Sequence, residues 1–471
     1  MALSSALFSG ISGLTTLGSA MQIIGDNIAN VNTVGFKASS FTFQDLLSQS
    51  VATMSGTAQV GRGTALGDIS AGFDQGSFES TGSTTDLAIG GAGFFALREA
   101  GSTSNFYTRA GNFRFNNSGY LINPEGYVVQ GWALDPTTGE DTGSVTDILL
   151  SSFTSSPSAT TNAELIVNLD SGGDDSSAGS DTALSAVWDG QAASPIDSTE
   201  YEYQTTLKVY DSLGSSHDVA VYFDKAATPS TYEYIVTVDP TEDKRVGASV
   251  SSHAGLLARG TITFDAGSGM IKDIGLTQSN GVFWDAAEDE AVDLSNGFFT
   301  FAPTFIALQP MSVELNFGSS SDVLSNWTNS SLATTQFATA STTTFQTANG
   351  YGAGDLQSVN VDVDGVITGS YSNGALIALF RVALAKFQNL QGLKKEGANL
   401  FAETRDSGTA TTSRPGTNGL GSIAPNSLEQ SNVDIANELV KMITTQRGFQ
   451  ANSKIITVTD QMLAELIQLK R

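Results

Sequence analysis

The chain has 471 residues, of which 40% are hydrophobic and only 15% charged, with 49 glycines, no cysteine and a net charge of −26. That length and composition allow several domains with sizeable cores and favour a β-rich, turn-rich protein. The acidic balance excludes a nucleic-acid binder, which needs a basic face for phosphates, and the lack of cysteine excludes disulfides, thiol nucleophiles and Cys-based zinc sites. The acid is concentrated in the middle. Residues 151–350 hold 25 acidic against 6 basic side chains, whereas 351–471 is balanced at 11 each. A central block of this kind reads as a solvated, self-repelling surface.

The first thirty residues predict a long helix. Leu3, Leu7, Gly10, Leu14, Leu17, Met21, Ile24, Ile28 and Val31 fall in one heptad register, the pattern of a coiled-coil-like seam. The other face is Ser, Thr, Gly, Gln and Ala, which predicts a helix packed on more than one side. The first charged residue is Asp26 and the first basic one Lys37, so the basic start of a Sec signal peptide is missing. No uninterrupted apolar run reaches the ~18 residues of a membrane span, and membrane insertion is not expected. "NIANVNTVGFK" (Asn27–Lys37) then stops the helix with Asn, Thr and Gly.

"SQSVATMSGTAQVGRGTALG" (Ser48–Gly67) reads as a linker, and short strands follow. "DLAIGGAGFFAL" has the glycines of a phosphate loop but neither the following helix nor the Lys that such a loop needs. "FYTRAGNFRFNNSGYLINPEGYVVQGW" is strands cut by NNSG and NPEG turns, and "TLKVYDSLGSSHDVAVYF" is two strands around a Ser-Leu-Gly-Ser turn. In "VNVDVDGVITGSYSNG" the spacing Asn360-x-Asp362-x-Asp364-Gly365 opens like a calcium loop, but Tyr371 stands where that loop needs Glu; an Asp-Gly hairpin is expected instead. "AETRDSGTATTSRPGTNGLGSIAPNS" (Ala402–Ser427) is a second linker.

A second long helix closes the chain, with Ser431 or Asn432 as its N-cap. Ile435, Met442, Phe449, Ile456 and Leu463 recur every seven residues. The alternate positions are Leu439, Gln446, Ser453, Asp460 and Ile467, so half of that seam is polar in its middle. Polar seam residues weaken a zipper but fix register and partner. Two such helices at opposite chain ends can pair. They form either a hairpin belonging to the core or, as the uncharged faces favour, assembly tails that pack between subunits. Catalysis has little to stand on, since His217 and His253 are the only histidines and neither has a metal-ligand spacing. No catalytic residue, metal or cofactor is expected.

The layout is nested and mainly β, with N- and C-terminal α-helices. Helices occupy 1–36 and 428–471, and linker regions 37–75 and 398–427. An inner β-domain takes 76–145 with 356–397, and an outer acidic β-rich insertion of one or two lobes takes 146–355.

Several of these stretches resemble the bacterial flagellar axial proteins, the rod, hook and hook-associated family. "ANVNTVGFK" (Ala29–Lys37) is similar to the family's N-terminal signature, and "SNVDIANELVKMITTQRGFQANSKII" to its C-terminal one. "DLAIGGAGFF", "YTRAGNF" and "LAKFQNLQGLKKEGANLFAETRDSG" resemble the shared inner β-domain and its return strand. The large central insertion fits the hook class better than the distal rod or the hook–filament junction. A secreted β-rich adhesin, with helices that dimerise, is the reading from another class.

The resemblance implies a structural subunit that polymerises with itself into a curved, flexible tube and passes torque from rod to filament. The implied partners are the flagellar export apparatus, the hook cap, and the distal rod and hook–filament junction proteins. The implied location is the flagellum, outside the cell after type III export. It implies a tail-to-domain turn at Asn30, Thr33, Gly35 and Phe36, with Gly35 at positive φ and Phe36 anchored on a β-domain. Phe43 and Leu47 in "FQDLL" are similar to the export-gate motif of hook-class substrates. Some hook-class proteins crosslink neighbours through a Cys and a Lys; without cysteine this chain lacks that chemistry.

Overall fold

The computed structural model describes residues 2–53, 56–136, 138–177, 183–278, 290–291, 298–321 and 327–469. The chain forms two compact units. One comprises Met1–Phe153, Leu356–Ser370 and Leu376–Arg471, and the other Thr154–Asp355 with Tyr371–Ala375.

In the first unit, helix α1 (Ala2–Ala29) packs along the C-terminal helix α3 (Ile435–Leu469), while the short helix α2 (Ala183–Val187) belongs to the second unit. The buried line of α1 is Gly10, Gly13, Thr16, Ala20, Ile24 and Asn27. This corrects the heptad reading: the backbones approach along small residues, and the leucines flank the contact. A Cβ on Gly13 would lie 2.9 Å from the Asn452 side chain, and one on Gly10 3.1 Å from Ile456 Cγ1. Buried hydroxyls in this interface bond back into their own helices, Thr16 Oγ1 to Ser12 O at 2.9 Å and Thr445 Oγ1 to Lys441 O at 2.7 Å. A second correction concerns length. Ala6–Ala29 is long and apolar enough, by length and composition alone, to cross a membrane, because small uncharged residues fill the gaps between its apolar ones.

The segments read as linkers carry strands. Ser39–Asp45 pairs antiparallel with Thr64–Ala71, and Gln49–Thr53 with Gly56–Val60, making a two-stranded ribbon beyond α1. Its strands are polar or Gly-containing, so the period-2 signal was hidden. Downstream, Thr411–Ser413 pairs with Leu384–Lys386, Ser422–Pro425 with Leu87–Gly90, and Ser427–Glu429 with Phe78–Ser80. Those three strands are set by partners distant in sequence, which no local pattern reveals.

The large sheet of the first unit is built mainly from Phe94–Arg98, Asn105–Thr108, Val128–Leu134 and Leu376–Val382. Alternation along one strand serves two cores: Phe95 and Leu97 join Leu87, Ile89, Val129 and Leu384, while Phe94 and Ala96 join Tyr107, Phe387 and Phe401. The expected Asp-Gly hairpin is present. Asp362 Oδ1 accepts the Asp364 and Val366 N–H groups at 2.9 and 2.8 Å, and Gly365 has φ +73°.

The second unit holds a meander of Tyr203–Tyr210, Ser216–Lys225, Thr231–Thr237, Leu256–Phe264, Ile271–Gln278 and Glu290–Ala291. The first two are the strands expected around Ser-Leu-Gly-Ser. A further sheet centres on Asn162–Asp170, flanked by Val313–Asn316, Thr335–Phe337 and Thr342–Ala348. Leu165, Val167, Val221, Tyr234 and Phe317, drawn from both sheets, meet in one core.

Candidate functional site

The chemistry-bearing part of the first unit lies where the terminal helices meet its large sheet. Asn27, buried near the end of α1, uses both ends of its amide on one residue. Its Nδ2 donates to Ser39 O and its Oδ1 accepts Ser39 N–H, each at 2.9 Å. The helix then unwinds through short turns, with Thr33 N–H on Asn30 O at 3.1 Å and Thr33 Oγ1 on Asn30 Oδ1 at 3.1 Å. Gly35 has φ +70°, and a Cβ there would lie 2.5 Å from Ala110 N. Both the dihedral and the space require glycine. Phe36 is buried at 8% exposure, and Lys395 Nζ lies 5.7 Å from its ring centroid.

Beside this turn sits a charge cluster that sequence reasoning did not assemble. Lys37 Nζ lies 2.6 Å from Glu429 Oε1, and neither side chain is exposed. Arg109 Nη1 lies 3.3 Å from Glu429 Oε2, and Arg109 Nη2 donates to Gly91 O at 2.9 Å. Glu429 also accepts Gly76 N–H on Oε1 at 2.9 Å and Gly35 N–H on its backbone oxygen at 2.7 Å. Lys37 Nζ donates to Asp74 O at 2.8 Å. Burial pushes the Lys37 ammonium below its ordinary value, against the opposing pull of Glu429. Burial lowers the Arg109 guanidinium in the same way, again opposed by Glu429. Two buried cations thus share one carboxylate. Three residues on, Asn432 repeats the pattern without charge: its Oδ1 accepts Ala38 N–H at 2.8 Å and its Nδ2 donates to Gly72 O at 2.8 Å.

A faint signal for the cluster exists in the sequence. Lys37 is the first basic residue, and Glu429 is the lone acid between Asp406 and Asp434. In a chain so poor in charge at these places, an isolated acid stands out, but nothing local pairs it with Lys37 or Arg109.

The helix residues singled out by heptad spacing divide. Ile24 is buried, while Leu7, Leu14, Leu17, Met21 and Ile28 are half-buried. Leu3's side chain lies outside the described ones. On α3, Met442, Ile456 and Leu463 are half-buried, and Ile435, Leu439, Phe449 and Ile467 are exposed. Phe43 lies on the Ser39–Asp45 strand with its ring 5.4 Å from that of Phe41, and Leu47 beyond it is 89% exposed.

Paired chain ends, a ribbon arm and nested β-units, with the helix pair tied to its sheet at one charged junction, define a structural subunit of an axial assembly. Four stretches match family models: residues 7–37 the flagella basal body rod protein, 88–161 the flagellar hook protein FlgE/F/G D1 domain, 168–351 the flagellar basal body protein FlaE D2 domain, and 424–469 the flagellar basal body rod FlgEFG protein C-terminal region. Flagellar hook protein FlgE of Treponema pallidum is 33% identical, with 99% of each chain covered. That of Borreliella burgdorferi is also 33% identical with 99% of each covered, and that of Escherichia coli 31% with 98%. The chain belongs to the flagellar hook protein FlgE family. It is a structural subunit of the hook, not an enzyme, and its place is the flagellum.

Proposed function

We propose that this subunit polymerises head to tail through its two terminal helices into the tubular hook, and that the helix pair lines the tube. Contacts of this heterologous kind that do not close give an open helical filament. The observation that carries the reading is the apolar surface left on the helix pair of a single chain. Phe8 is 70% exposed and Ile11 50% on α1, and Val440 is 61% and Ile467 71% on α3. Large apolar side chains left exposed along both helices mark an interaction surface, and its natural cover in a polymer is the helix pair of the next subunit. Asn30, Thr33, Gly35 and Phe36 then set the turn from tail to domain, and the four-part division read from the sequence separates tube, junction, inner and outer layers.

The finer steps belong to the same reading. The subunit leaves the cell by type III export, with Phe43 and Leu47 as the segment offered to the export gate. Growth occurs under a hook cap, between the distal rod and the hook–filament junction proteins. The test is negative-stain electron microscopy of the full chain and of a chain lacking residues 1–30 and 432–471, each produced in a strain without its own hook subunit. Hooks from the full chain and none from the shortened one support the reading. Hooks from both overturn the role given to the helices.

A further inference from the structure

Three chain crossings join the helix pair to the sheet of the first unit. The chain leaves α1 through Val31–Ala38, returns from the ribbon through Gly72–Ser77, and enters α3 through Glu429–Asp434. Glu429 touches the other two crossings and the sheet at once. Its backbone oxygen holds Gly35 N–H at 2.7 Å, Oε1 holds both Lys37 Nζ at 2.6 Å and Gly76 N–H at 2.9 Å, and Oε2 faces Arg109 Nη1 at 3.3 Å. All of these side chains are buried.

We propose that Glu429 is a positioning residue that locks the three crossings into one rigid node, so that load passes between tube and β-unit through a charge-bound junction that does not itself flex. This rests on the hook reading above and goes beyond it, by placing stiffness where the terminal helices pass into the β-unit. The physical argument is multiplicity. One carboxylate, out of water, satisfies groups from each element, so none of them can shift without leaving a buried charge or N–H unpaired, which is costly. Lys37, Gly76 and Arg109 therefore move together or not at all. Asn432, holding Ala38 N–H and Gly72 O, adds neutral bonds between the same crossings but no charge.

The experiment compares the full-length wild-type chain with E429Q, K37M and N432A in a strain lacking its own hook subunit. It reads hydrogen exchange of the purified chain and bending stiffness of isolated hooks. In E429Q, exchange rises about tenfold or more at both 35–38 and 74–76 while mid-α3 stays unchanged. E429Q hooks form at normal length but are measurably softer. N432A raises exchange without softening the hook. Should E429Q not accumulate, K37M leaves the Glu429–Arg109 pair in place and still loosens both crossings together. Exchange in E429Q that rises at one crossing alone, or E429Q hooks as stiff as wild type, overturns the node. Absence of hooks from the wild-type chain in the same strain overturns the hook reading instead, so the two failures are told apart.

Discussion

Asp224 and Glu233 stand directly opposite each other on neighbouring antiparallel strands of the second unit, and both are buried. Two acids in that register repel. Each is instead occupied by backbone N–H groups: Asp224 takes Ser176 and Ser177, and Glu233 takes Leu184 at 2.9 Å and Ser185 at 3.3 Å. Burial pushes the Glu233 carboxyl up to about 7, helped by the Asp224 charge and opposed by the two N–H groups and by Arg259. The folded chain thus holds this proton more tightly than the unfolded chain, whose carboxyl sits near the ordinary 4.5. The stabilisation is complete below that ordinary value and is lost as pH rises through about 7, an effect of at most about 3 kcal/mol. Urea unfolding of the full chain should show the second unit weakening between about pH 5 and about pH 8, with Glu233→Gln flattening that slope. An unchanged slope would assign the pH dependence to other groups.

Gly35→Ala tests the turn out of α1. The substitution places a Cβ against Ala110 N and the Arg109 carbonyl carbon, both backbone atoms, at a φ of +70°. Neither contact can yield without moving the sheet. A loss of more than about 2 kcal/mol is expected, seen as a lower melting temperature of the first unit and as absent hooks.

The helix pair has its own test at Gly13 and Asn452. Gly13→Val drives a branched side chain into an amide already 2.9 Å from a Cβ at that position and should separate α1 from α3. Removing the obstacle with Asn452→Ala should recover part of the loss, a coupling of about 1 kcal/mol or more in a double-mutant cycle. Additive effects would show that the two residues do not meet.

In the charge cluster, Glu429→Gln is expected to cost more than Lys37→Met. The first leaves two buried cations without a carboxylate, and the second leaves a carboxylate that still has Arg109. Breaking a buried pair costs about 3–5 kcal/mol, and the larger value belongs to Glu429. Equal melting temperatures for the two variants would contradict the sharing of Glu429 between two cations.

Much of the fold could be read from local pattern. Heptad spacing located both helices, because a long helix with one apolar stripe repeats its signal over many turns. Asp-Gly and Ser-Leu-Gly-Ser marked hairpins, because these turns need particular backbone dihedrals. The Asn, Thr and Gly around Gly35 mark the end of the first helix, although only the structure brings Ala110 and Arg109 against Gly35. The ribbon of Ser39–Ala71 escaped, since Gly and Ser dilute its alternation. The strands at Thr411–Ser413, Ser422–Pro425 and Ser427–Glu429 escaped for another reason: each is made by a partner far along the chain.

The family motifs, the heptad spacing and the run of Asp and Glu make the class of the protein, its two helical ends and its acidic β-rich stretch legible, because each of these is written in neighbouring residues. Folding alone sets which face of α1 is covered and which cations meet Glu429. The first depends on how closely two backbones approach at Gly10 and Gly13. The second depends on residues as far apart as Lys37 and Glu429, 392 residues from each other, arriving at one dry point where a charge is tolerated only if it is paired.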